Sequence, residues 1–208
     1  GFIGKIIRFC RENNIEYDFK DERKKLKEVS FLFNAELLEH QKIVIDTITK
    51  KDLGVIVAPP GSGKTIVGLK IIAEKKQPAL IITHRKQIAY QWMERIETFL
   101  GIPKNEIGKI GQGKTKIGKQ ITVAMIQSLS KELEKPDGVK LLNAFGTIIL
   151  DECHHIPAET FRNTISKLQT YYLYGLTATP FRKYNDSKLI FIHLGEVISE
   201  IKSNEIST

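Results

Sequence analysis

The stretch from Gly54 to Gly68, GVIVAPPGSGKTIVG, constrains this chain more than any other. Val55, Ile56 and Val57 predict a short apolar strand, the Pro- and Gly-rich residues after them a turn, and a helix opens near Lys64. Such an arrangement meets a triphosphate with backbone N–H groups at a helix N-terminus. Gly61 and Gly63, on either side of Ser62, let the backbone curl closely round phosphates where a Cβ would intrude. Lys64 supplies a mobile cation for the β- and γ-phosphates, and Thr65 a hydroxyl for Mg²⁺. The full pattern asks for Gly six residues before the Lys, and this chain has Ala58 there. The plain alternative is an ordinary glycine-rich strand–turn–helix.

Beyond this loop the chain alternates. Apolar strands at Ala79–Ile82, Ile121–Ala124, Thr147–Leu150 and Tyr172–Leu176 are separated by helical patterns at about Lys86–Phe99, Gln127–Glu134 and Ala158–Leu168. A glycine- and lysine-rich segment, Gly108 to Lys119, and the loop KPDG at 135–138 read as connections. The alternation predicts an α/β fold: a parallel sheet with helices on both faces. Ligands of such sheets bind at the carboxyl ends of the strands, where every motif here falls. Upstream, Leu37, Leu38, Val44, Ile45 and Ile48 mark a further helix. It carries Gln41, whose amide can both donate to and accept from an adenine edge, although a lone Gln on a helix usually faces solvent.

The first 35 residues read as a small lead-in, and residues 36–208 as the main domain. A helical stripe covers Phe2 to Asn13, and the alternating triplets Ile15, Tyr17, Phe19 and Val29, Phe31, Phe33 each suggest a half-buried strand. Between them DERKKLKE reads as a solvated turn. The balance of 32 Lys+Arg against 24 Asp+Glu, net +8, fits a polyanionic partner without demanding one. Cys10 and Cys153 are too few for a disulfide framework or a four-ligand zinc site. No apolar run is long enough for a membrane span, no signal peptide is visible, and a cytoplasmic setting is expected. A chain that opens on Gly reads as a trimmed or excised piece.

A second segment carries chemistry: TIILDECHH, Thr147 to His155. Its strand delivers Asp151 and Glu152 to the end of the sheet where the phosphate loop belongs. Asp151 there can hold Mg²⁺, directly or through water, and Glu152 can orient and deprotonate an attacking water. Zinc held by Cys153, His154 and His155 is disfavoured, because consecutive residues on one element converge poorly on one ion. In GLTATP, Gly175 to Pro180, the hydroxyls of Thr177 and Thr179 flank Ala178 and could bond the DECH segment; alone, this is a strand stopped by proline.

The ordered set Gln41, APPGSGKT, THRKQIAYQW, VAMIQSL, DECH and TATP resembles the first motor domain of superfamily 2 nucleic-acid helicases and translocases of the DExH type. Its flavour is nearest the branch that holds restriction-enzyme motor subunits and DNA-repair helicases. The resemblance covers about Leu37 to Glu200 and implies the P-loop NTPase (RecA-like) form of the α/β fold. It implies that Gln41 contacts adenine and that Gly61 to Thr65 hold the phosphates and Mg²⁺. Asp151 and Glu152 would be the metal-holding and water-activating carboxylates, and His154 would link the ATP site to Thr177 and Thr179. Thr83 and Arg85, with Gln127 and Ser128, match positions that grip a nucleic-acid backbone, with DNA preferred over RNA. Trp92 falls where the family often has a bulky residue, and core packing is favoured there over base stacking. The Arg often found shortly before the Gln is missing from Leu37–Gln41.

Nothing after Glu200 resembles a second motor domain, so the chain reads as one lobe of a two-lobe motor, the other expected downstream. Cofactors implied are ATP and Mg²⁺. Two functions stay open: an ATP-driven helicase or translocase, and a nucleotide-gated nucleic-acid binding module that never unwinds.

Overall fold

Runs such as ALII at 79–82 and TIIL at 147–150 carry no polar alternation, so they are satisfied only where both sheet faces are covered. The computed structural model, which describes residues 2–21, 23, 25–155, 159–179 and 190–201, buries them in this way. After helix α1 (Phe2–Glu12) and helix α2 (Glu39–Ile48) comes strand β1 (Leu53–Val57), followed across the glycine-rich loop by α3 (Lys64–Lys75). Strand β2 (Ala79–Thr83) leads into α4 (Lys86–Leu100), then to β3 (Gly108–Gly111) and β4 (Lys114–Lys116). Strand β5 (Ile121–Met125) runs directly into α5 (Ile126–Leu133), and β6 (Thr147–Asp151) precedes α6 (Glu159–Ile165). Strands β7 (Tyr172–Thr177) and β8 (Val197–Glu200) complete the order.

Among the described residues eight strands form one sheet in the order β4-β3-β5-β2-β6-β7-β1-β8. Every pair is parallel except β3 with β4. Strand side chains alternate between faces. On one side Ile56, Ile81, Ile149 and Leu176 pack beneath α2, α3 and α4 through Val44, Ile48, Val67, Ile71, Trp92 and Ile96. On the other, Val57, Leu80, Ile82, Ile148 and Leu150 pack against Leu129, Leu142 and Ile165. Among the described residues no helix is long and apolar enough to cross a membrane.

Several elements depart from the sequence reading. The segment Gly108–Lys119 contains the β3–β4 hairpin, and KPDG leads into a 3₁₀ helix at Gly138–Ala144. The helix expected to reach Leu168 stops at Ile165, and its expected start, Ala158, lies outside the described residues.

The lead-in forms its helix but neither strand. Ile15, Tyr17 and Phe19 are 47%, 42% and 49% exposed and pair with nothing in the sheet. Val29, Phe31 and Phe33 do alternate half-buried with exposed neighbours, but as an extended strap outside the sheet. The Val29 N–H donates to Lys76 O at 3.0 Å and the Asn34 N–H to Phe99 O at 2.8 Å. Gln120 Nε2 donates to Ser30 O at 2.6 Å. The strap thus crosses the C-terminal ends of α3 and α4, and Phe31, Phe33 and Leu37 pack on the main core.

Candidate nucleotide and nucleic-acid site

Five neighbouring strands, β5-β2-β6-β7-β1, end on one edge of the sheet, and each carries a segment singled out by the sequence. At the β1 end, the loop is tied to β7 by the Ala58 N–H, which donates to Thr177 O at 2.8 Å. Gly61 (φ 83°) and Gly63 (φ 80°) adopt the left-handed backbone that glycine takes without strain. A Cβ at Gly63 would also run into Gln41 Nε2 and lie 3.1 Å from Ile66 Cγ2, so the cradle at the start of α3 depends on its absence. Ser62 is 1% exposed and its hydroxyl donates to Pro59 O at 2.7 Å. Lys64 Nζ bends back to donate to Ala58 O at 3.1 Å, and Thr65 follows in the first turn of α3.

Gln41 is buried, and its amide is engaged at both ends. Its Oε1 accepts from the Leu38 N–H at 3.0 Å, which caps α2, and its Nε2 donates to Ser62 O at 3.0 Å. In this geometry Gln41 holds the glycine-rich loop against α2.

At the β6 end the chain turns sharply. Glu152 has φ 53°, a left-handed conformation rare for a residue with a side chain, and a 3₁₀ turn follows at Cys153–His155. Glu152 Oε2 is buried without a hydrogen bond, although His154 Nδ1 lies 3.2 Å away. That same Nδ1 is 3.0 Å from Thr177 Oγ1 at the end of β7. Thr177 Oγ1 in turn donates to Thr179 O at 3.4 Å. The expected link from the DECH segment to Thr177 is therefore a direct contact, and Thr179 joins it through its backbone. Cys153 turns into the core, where burial pushes its thiol pKa up.

Asp151 is 7% exposed. Burial raises its carboxyl pKa, and Glu152 adds to that; a hydrogen bond from Trp92 and the charge of Lys64 oppose it. The Trp92 bond was not foreseen. Trp92 packs in the core as expected, yet its Nε1–H donates to Asp151 Oδ2 at 2.7 Å.

The β2 and β5 ends hold the residues matched to nucleic-acid contact. Arg85 and Gln127 are exposed and Ser128 is half-buried, on adjacent strand ends whose register pairs Thr83 with Met125. Gln127 Nε2 reaches His84 O at 3.4 Å, which ties the two turns together. Thr83 needs correction as a surface contact: it is fully buried, its hydroxyl 3.5 Å from both Arg85 O and Ala124 O. It shapes the turn that presents Arg85. Also unforeseen is a row of imidazoles joining the β2 and β6 ends. The rings of His84 and His155 are 4.3 Å apart, and those of His155 and His154 4.2 Å. Burial first, then neighbouring positive charge, hold His84 and His155 below the usual imidazole range.

The residues present fit a nucleotide with its cation: a cradle that a Cβ would fill, a cationic Nζ at its mouth, a buried carboxylate and an orphaned carboxylate oxygen beside it. Residues 34–182 match the family described as "Type III restriction enzyme, res subunit". The chain is 33% identical over 172 residues to the DNA 3'-5' translocase XPB2 of Sulfurisphaera tokodaii, covering 83% of this chain and 37% of that protein. It is 30% identical over 163 residues to the DNA 3'-5' helicase XPB of Mycobacterium tuberculosis, covering 77% and 29%. The chain thus spans about a third of the length of these curated relatives. Among solved structures, the UvsW helicase of bacteriophage T4 aligns with a TM-score of 0.71 at 20% identity, over 96% of this chain and 78% of that one. That likeness shows the fold.

Proposed function

The chain belongs to the type III restriction enzyme res-subunit family, and from that premise we propose that it is the ATP-binding first motor domain of a DNA helicase or translocase. The observation that carries this reading is the row of strand ends. Arg85, Gln127 and Ser128, the carboxylates Asp151 and Glu152, and the loop Gly61–Thr65 stand side by side on β5, β2, β6 and β1, with Thr177 on β7 between the last two. DNA is preferred because the relatives named above act, by their names, on DNA.

The geometry supports the following roles. Backbone N–H groups from Gly61 to Thr65 and Lys64 Nζ bind the phosphates, Lys64 exchanging its bond to Ala58 O for them. Thr65 and Asp151 hold Mg²⁺. Bound Mg·ATP supplies the phosphoanhydride to be cleaved and a cation that neutralises developing charge. Glu152, with an oxygen that has no hydrogen bond of its own, accepts the proton of the attacking water. His154 passes a change at Glu152 to Thr177 and on to the strand end. Gln41 contacts adenine by exchanging one of its two present bonds, so base recognition and loop release are linked. Arg85, Gln127 and Ser128 grip phosphates of the DNA backbone, which suits tracking without regard to sequence.

A second motor domain in the same polypeptide completes the site with arginine fingers, worth roughly 10³–10⁵ in rate in comparable phosphoryl-transfer enzymes. The test is steady-state ATPase measurement on the present chain, with and without DNA, against the chain joined to its second lobe. Background turnover in the first and DNA-stimulated turnover in the second are expected. Robust DNA-stimulated hydrolysis by the present chain alone would overturn the one-lobe proposal.

A further inference from the structure

Trp92 is the sole tryptophan of the chain and is only 1% exposed. It lies on α4 against α3, where Gly68 makes room: a Cβ there would come 2.7 Å from Trp92 Cη2. Packing alone does not require an indole, since a Phe ring would fill most of this space without a polar atom to satisfy. The buried N–H must find an acceptor, and it finds the most consequential one nearby, Asp151 Oδ2 at 2.7 Å. That length is typical of a bond assisted by charge. Sequence separates the two residues by 59 positions; the sheet order that sets β2 beside β6 brings α4 over the end of β6.

We infer that Trp92 is a positioning residue for the cation-holding carboxylate. By taking Oδ2 it fixes the orientation of Asp151 and leaves Oδ1 for a divalent cation or its water shell. The inference rests on the assignment of Asp151 to Mg²⁺ made above. It also gives α4 a second role. The helix begins directly after Arg85, so the element next to the DNA-facing residue is bonded to the metal-holding one.

Because Trp92 is the sole tryptophan, its emission reports on the site without a label. Mn²⁺, a paramagnetic substitute for Mg²⁺, titrated into the chain with saturating ADP should quench that emission, and Asp151→Asn should abolish the quenching. Trp92→Phe keeps a ring and loses the donor. It should weaken Mn²⁺ affinity, read from the resonance signal of free Mn²⁺, by about tenfold, the lower end of what loss of a partner to a metal-binding side chain costs. Metal-free ADP affinity, followed by calorimetry, should be unchanged. Should Trp92→Phe fail to fold, benzothienylalanine in place of Trp92 removes the N–H at nearly constant shape and gives the same readout. Equal loss of ADP affinity with and without metal would make Trp92 a packing residue and overturn the inference. So would Mn²⁺ binding that leaves Trp92 emission unchanged, or that is as tight without the N–H as with it. Failure of ADP to bind the unaltered chain would instead overturn the nucleotide-site reading, and this inference with it.

Discussion

Glu152→Gly should make the chain more stable while removing the group proposed to activate water. The left-handed backbone at Glu152, φ 53°, costs a residue with a Cβ about 1–2 kcal/mol. Its Oε2, buried without a hydrogen bond, costs about 1–3 kcal/mol more. Glycine relieves both and gives back about 0.5–1 kcal/mol through the freedom of the unfolded chain. The balance is a gain of about 1–4 kcal/mol. At about 2–4 °C per kcal/mol for a chain of this size, the melting temperature should rise by at least about 2 °C. Thermal unfolding followed by circular dichroism measures it. Glu152→Gln separates the two contributions, because it keeps the strained backbone and should gain less than glycine. A glycine variant that melts at or below the parent temperature would refute the argument that this carboxylate is held at the cost of stability.

Arg85→Ala should weaken DNA binding to a similar degree on unrelated sequences and lower the salt dependence by about one contact. Fluorescence anisotropy across a salt series reads both, and a loss confined to particular sequences would point to base readout instead. Stability should fall with pH below about 6.5, the ordinary imidazole value, because His84 and His155 are held below it when folded. The unfolded chain then binds protons that the folded rings refuse, so stability is full above that pH and declines beneath it. Replacing both residues by Asn should flatten the decline in urea titrations between about pH 6.5 and 5, leaving the share due to His193, also shifted down by burial. An undiminished slope in the double variant would remove the imidazole row from the account.

The central strands were legible because parallel strands buried on both faces are continuous apolar runs, as at Ala79–Ile82 and Thr147–Leu150. The β3–β4 hairpin was not, because glycine and lysine dominate Gly108–Lys119 and β4 is exposed along its length. Alternation at Val29, Phe31 and Phe33 foretold their burial and misled about pairing: an extended strap lying on helices leaves the same period-two trace as a strand. At Ile15, Tyr17 and Phe19 the same trace accompanies no burial at all. The site residues sit in local motifs, each readable from its own stretch of chain. Contacts between motifs depend on strand order, so Trp92 with Asp151 and His84 with His155 left no local mark. Thr83 was misjudged because nothing local distinguishes a hydroxyl facing a ligand from one turned back to its own backbone.

Binding of the ATP phosphates by the loop from Gly61 to Thr65 is read by calorimetric titration of ATP in the presence of Mg²⁺. The unaltered chain should bind one equivalent. Lys64→Ala should lower the affinity by at least about tenfold, the loss of one charge-assisted contact. Its melting temperature should hardly move, because the ammonium it removes is held by a loop carbonyl, Ala58 O. ATP bound as tightly by Lys64→Ala as by the unaltered chain would mean that this loop does not hold the phosphates.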